Sequence, residues 1–126
     1  MMSFDEVGEF LDDEADELPL ILYRELNGGI SLLPQHKFSP RAEGLLVLGE
    51  YCKSRSMGRY INIYYGSFVK AFPHYSDEQL KSKLKQVLVH ELTHHNESLA
   101  GVYDLEIKDA VRLNEYKERN RHSDGE

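Results

Sequence analysis

Phe4, Val7, Phe10, Leu11 and Leu18 recur every three or four positions, the period of a helix that buries one stripe of its surface. Ser3 followed by Glu6 has the spacing of a capping box, so a helix is expected over residues 3–17. Its other face carries Asp12, Asp13, Glu14, Asp16 and Glu17, and reads as a solvated surface rather than a cation site. Pro19 suits a first helical position and Asn27-Gly28-Gly29 suits a stop, so "PLILYREL" predicts a second, short helix. The pattern then changes to short apolar or alternating runs. "GISLL" (29–33), "LLVLGEY" (45–51) and "RYINIYY" (59–65), each bounded by Gly, Pro or Ser, predict three strands in a small, mostly sequentially connected sheet. In the third, Ile61, Ile63 and Tyr65 fall on one side and Tyr60, Asn62 and Tyr64 on the other. That polar side is a candidate substrate edge, although ordinary sheet packing accounts for the tyrosines equally well. "GSFVKAFPHY" predicts one or two helical turns broken by Pro73.

From Ser76 the helical period returns. "SDEQ" is another capping box, with Ser76 at the N-cap and Gln79 three residues on, and it opens a helix expected to reach Ala100 before Gly101 ends it. A last helix, "DLEIKDAVRLNEYKE", and a frayed tail from about residue 118 to 126 complete the chain. With 126 residues, no internal repeat and no dividing linker, a single domain over 1–126 is expected. Its class is α+β, a small three- or four-stranded sheet packed against the long helix with flanking helices.

Charge and composition narrow the partners. A net charge of −7 would repel a phosphate backbone, so nucleic acid is not expected as a partner. No apolar run approaches the roughly 18 to 20 residues of a membrane-spanning helix. The N-terminus is acidic where an export signal would be basic and then apolar, which makes the cytoplasm the default location. Cys52 stands alone, with no internal disulfide partner and no C-x-x-C pair, and reads as an ordinary core or half-buried residue.

The chemistry is concentrated in "KQVLVHELTHHNESLAGVYDLE", residues 85–106. At about 100° per residue, Leu80, Leu84, Val87, Leu88 and Leu92 form one apolar arc, and Glu91 falls inside it between Val87 and Leu88. A carboxylate among leucines and valines costs several kcal/mol unless a cation or strong donors accompany it. His90 and His94 lie one turn apart along the flank of that arc, so that two imidazoles on one rigid helix can reach a single zinc ion. Glu91 would then take a proton from a zinc-activated water as it attacks a carbonyl. The bare H-E-x-x-H pattern arises by chance in roughly one in several hundred chains of this length, so its context has to carry the reading. The bland alternative is a salt-bridged amphipathic helix that happens to hold histidines. His95 lies on the far side of the arc from His90 and reads as a satisfied core histidine or a donor behind the ligands. His36, His74 and His122, isolated in loops or the tail, read as surface histidines.

On these residues the chain resembles the small zincin-like metallopeptidases of bacteria, compact domains with an H-E-x-x-H-H segment on the active-site helix. The resemblance extends through "LYRELNGGI", "GRYINIYYGSF" and "HELTHHNESLAGVYDLEIKD", the last being the most specific. It implies a minimal zincin fold, a bound zinc and peptidase activity on a peptide or protein substrate whose identity it leaves open. The family's compact pattern is H-E-x-x-H-x-x-G-x-x-D, with Asp as third ligand. Here Gly101 and Asp104 stand four residues later than that pattern expects. Glu97 is the rival, since it projects on the same helix face as both histidines, but a straight helix sets it about 10 Å along the axis from His90. The resulting assignment is a zinc metallopeptidase with His90 and His94 as ligands, Glu91 as general base, and Asp104 favoured over Glu97 as third ligand. The competing functions are a non-catalytic zinc-binding or interaction module that uses the metal for stability, and, less well supported, a metal-dependent ribonuclease.

Overall fold

The structure is a computed structural model, and it describes residues 1–103. Ser3 caps α1 (Phe4–Glu17) through the expected reciprocal pair: its hydroxyl accepts from the Glu6 amide while its own amide donates to the Glu6 carboxylate. Val7 and Leu11 are the buried residues of α1, while Asp12, Asp13, Asp16 and Glu17 are exposed. "PLILYREL" forms only a single 3-10 turn, Leu20–Tyr23. The chain leaves it at Arg24 in an extended conformation, and Glu25 takes a positive φ of 58°, which a helix does not accommodate.

Three strands follow: β1 (Gly29–Leu33), β2 (Gly49–Ser54) and β3 (Gly58–Tyr64). The expected sequential sheet is not what forms. The order is β1-β3-β2, with β3 central, parallel to β1 and antiparallel to β2. The β2–β3 hairpin turns at Ser54–Gly58, where Gly58 supplies φ = +71°. β2 begins at Gly49, four residues later than the apolar run suggests. The residues before it pair with another partner: Leu46 bridges Phe38, and the Val47 amide donates to the Lys37 carbonyl. A short ribbon over 37–47 thereby uses up the apolar stretch. β3 passes directly into α2 (Tyr65–Ala71), so Tyr65 belongs to a helix rather than to the strand's buried side; its hydroxyl donates to the Met2 carbonyl.

The Ser76/Gln79 capping box is formed and opens α3 (Asp77–Tyr103). Gly101 does not end this helix. Glycine lowers helix propensity by about 1 kcal/mol relative to alanine without forbidding the conformation, and the preceding turns of α3 are anchored by the core. That core lies between one face of the sheet and α1 and α3. Ile61 and Ile63 of β3 are fully buried, as are Leu84 and, within a few percent, Leu80, Leu88 and Leu92 of α3. The architecture is a small α+β fold with a three-stranded mixed sheet. No described helix is long and apolar enough to cross a membrane.

Candidate functional site

Gly49 determines how closely α3 approaches β2. A Cβ at this position would lie 2.7 Å from Val87 Cγ1 and 3.4 Å from Glu91 Cγ, so glycine lets the helix carrying Glu91 sit directly on the strand. Glu91 is 1% exposed, within the apolar arc that its sequence position predicts. On the flank of the same helix His90 is half-buried and His94 is 2% exposed. Their Nε2 atoms stand 2.8 Å apart, with ring centroids 4.4 Å apart. A contact of that length between two ring nitrogens is a hydrogen bond in which one ring carries the proton and the other accepts.

The same geometry fits a metal. Two nitrogens bonded to one tetrahedral zinc at about 2.0–2.1 Å each stand about 3.3–3.4 Å apart, so the two rings need part by only about half an ångström to share an ion. Among the described residues, no third His, Cys, Asp or Glu groups with them as a ligand set. Glu97 is one of the described residues and does not complete a set in this conformation. Asp104 lies outside the described residues. Because α3 remains helical through Tyr103, it advances about 13 Å along its axis beyond His94 before Asp104 is reached.

His95 is fully buried, with both ring nitrogens engaged: Nε2 donates to the Arg24 carbonyl (2.7 Å) and Nδ1 meets the Tyr51 hydroxyl (2.9 Å). Burial pushes its pKa below the usual histidine value, which favours the neutral ring. It is the satisfied core histidine that the sequence suggested. Arg59 Nη1 donates both to the Tyr51 hydroxyl (2.8 Å) and to Ser98 Oγ of α3 (2.6 Å). Asn96 donates to the Leu22 carbonyl (3.1 Å) and to the Leu92 carbonyl (2.9 Å), tying α3 to the 3-10 turn. Sequence reasoning missed Gly49, Tyr51, Arg59 and Asn96. Only Gly49 left a signal, as a glycine interrupting an apolar strand pattern.

The opposite face of the sheet is a separate environment. Lys37 Nζ donates to both carboxylate oxygens of Glu50 (2.8 and 3.0 Å), and the Tyr64 hydroxyl donates to Glu50 as well. The Lys37 pKa is raised, chiefly by this hydrogen bond, and that of Tyr64 is raised chiefly by burial. Cys52 is half-buried, and burial pushes its thiol pKa up, which disfavours the reactive thiolate. His36 and His74 are exposed.

No family model matches the chain, and no curated protein matches it. Among solved structures, a conserved hypothetical protein from Thermo thermophilus is similar, with 32% sequence identity over 79% of this chain and 98% of that one, and a TM-score of 0.68. The chain belongs to that protein's family. The likeness supports the α+β fold of this family member, and it assigns neither a ligand nor a reaction.

Proposed function

We propose that this family member is a zinc-dependent peptide hydrolase of minimal zincin type. What supports the reading above all is the convergence of the His90 and His94 Nε2 atoms, 2.8 Å apart, on the helix that buries Glu91 against Gly49. His90 and His94 would hold the metal. When bound, zinc lowers the pKa of a coordinated water toward about 7. Glu91 would take a proton from the attacking water and return one to the leaving amine. For the third ligand we retain Asp104 over Glu97. Since α3 is helical through Tyr103, that role would require α3 to open beyond Ser98, leaving its anchored turns in place, for Asp104 to approach the histidine pair. The competing reading, a zinc-binding module without catalysis, also uses His90 and His94 as ligands and is separated from the hydrolase by activity alone.

The test is zinc content and peptide hydrolysis of the wild type, His90→Ala and Glu91→Gln. Close to one zinc per chain is expected in the wild type and in Glu91→Gln, and little in His90→Ala. Hydrolysis should fall by roughly 10²- to 10⁴-fold in Glu91→Gln. Zinc uptake without hydrolysis by the wild type would favour the binding module, and no uptake at all would refute both readings.

A further inference from the structure

We propose that His95 is a positioning residue for the site on α3, clamped between the Arg24 carbonyl and the Tyr51 hydroxyl so that it fixes the roll and depth of α3 against β2. The inference rests on the reading of His90 and His94 as metal ligands, and it concerns a group that touches neither metal nor substrate.

The direction of each hydrogen bond follows from the chemistry of the partners. A carbonyl oxygen only accepts, so His95 Nε2 carries the proton shared with Arg24. In a neutral ring Nδ1 is then an acceptor, and the Tyr51 hydroxyl must donate to it. That donation leaves the Tyr51 oxygen to accept from Arg59 Nη1, whose second proton goes to Ser98 Oγ. The result is one directed chain, Ser98 and Tyr51 receiving from Arg59, His95 receiving from Tyr51, and Arg24 receiving from His95. It joins α3 at two positions, 95 and 98, to β2, β3 and the segment after the 3-10 turn. The edge-on contact of the Tyr51 and His95 rings, 5.3 Å between centroids, packs the same junction.

His90 and His94 lie on the flank of the arc and His95 within it, about 100° round the helix from His94; because the pair shares one helix, the clamp does not set their separation from each other. It sets where the pair stands relative to everything off the helix. A roll of only about 5° moves a ring nitrogen lying about 7 Å from the helix axis by about 0.6 Å. Metal–ligand distances tolerate about 0.2 Å. A ligand or substrate approaching from outside α3 therefore meets the histidine pair correctly only if the roll is held, and Gly49 on one turn and Tyr51–His95 on the next hold it on both sides of Glu91.

Tyr51→Phe removes one hydroxyl and keeps the ring, and His95→Gln keeps a donor for the Arg24 carbonyl while losing the ring. Tyr60→Phe, a hydroxyl deletion on the other face of the sheet, is the control. The probes are zinc, titrated against a chelator, and a mixed peptide library hydrolysed at saturating zinc, both at a temperature where every variant is fully folded by circular dichroism. Because both histidine ligands ride on α3, zinc affinity should stay within about threefold in Tyr51→Phe and His95→Gln, whereas kcat for hydrolysis should fall by about 10-fold or more through misplacement of the site against substrate, and Tyr60→Phe should change neither beyond about twofold. Hydrolysis unchanged in Tyr51→Phe while its Tm falls would overturn the proposal and leave a purely structural clamp, and so would an equal loss in Tyr60→Phe. If the wild type takes up no zinc or hydrolyses nothing, the proposed function has failed separately. The clamp is then judged on the metal-free protein by imidazole ¹⁵N resonances: His94 signals that shift or broaden in Tyr51→Phe support it, and unchanged signals overturn it.

Discussion

The flank of α3 and its buried face hold histidines that are neighbours in sequence and opposite in use. On the flank, His90 and His94 turn their Nε2 atoms toward each other. On the buried face, His95 is tied at both nitrogens to fixed parts of the scaffold, a carbonyl and a tyrosine hydroxyl. Both His94 and His95 are nearly inaccessible to solvent, so burial does not separate them. The difference lies in where the ring nitrogens point. A histidine whose nitrogens end on backbone and a neutral hydroxyl has no coordination left to offer, whereas two that meet can exchange their shared proton for an ion.

Four substitutions test that distinction. The largest effect is expected at His95. His95→Leu removes, at a fully buried position, both the donor to the Arg24 carbonyl and the acceptor for the Tyr51 hydroxyl, and should destabilise the metal-free protein by about 2–4 kcal/mol. His90→Ala, at a half-buried position, takes one partner from His94 Nε2 and should cost less, about 1–2 kcal/mol under the same conditions. Urea unfolding with chelator present measures both, and equal costs would erase the contrast between the two sides of the helix. Next is Gly49→Ala, which puts a methyl group into Val87 and toward Glu91. It should cost about 1–3 kcal/mol by overpacking, and it would sharpen the comparison by lifting the site flank while sparing the Tyr51–His95 junction. The smallest effect belongs to the outer face of the sheet. Lys37 is 42% exposed in its ion pair with Glu50, so Lys37→Met should cost at most about 1 kcal/mol. Because the folded Lys37 pKa is raised above its ordinary value of 10.5, the contribution is complete below that value. It is lost as pH rises through the higher folded pKa. Unfolding of wild type and variant should therefore converge at strongly alkaline pH.

The local features of the chain were legible because they are set by near neighbours. Both capping boxes form as their spacing requires, β1 occupies Gly29–Leu33 as expected, and the arc that included Glu91 is the buried face of α3. What failed to show in the sequence depends on distant partners. Nothing local marks β3 as the central strand, since its pairing with β1 is made across the whole of β2. The run Leu45–Leu48 has strand character, and its partner, the segment around Lys37 and Phe38, is not apolar enough to declare itself. The single 3-10 turn at Leu20–Tyr23 reads as a fuller helix because its cap residues are right; the positive φ at Glu25 belongs to the path that delivers the Arg24 carbonyl to His95. At the site, the H-E-x-x-H spacing identified the facing pair, but the anchoring chain of Tyr51, Arg59 and Ser98 draws on three elements, and none of those residues is unusual in its own segment.

The strand order carries a consequence for how the molecule assembles. β2 and β3 are joined by a tight turn and can pair as soon as Tyr64 has left the ribosome, whereas β1, made first, has no partner until Tyr60 arrives to meet Gly29. Closing that loop is an entropic cost met before any contact rewards it, and contacts distant in sequence slow folding. β1 therefore has no partner until β3 has been made, and the parallel pairing that completes the sheet joins residues much farther apart in sequence than the β2–β3 hairpin does.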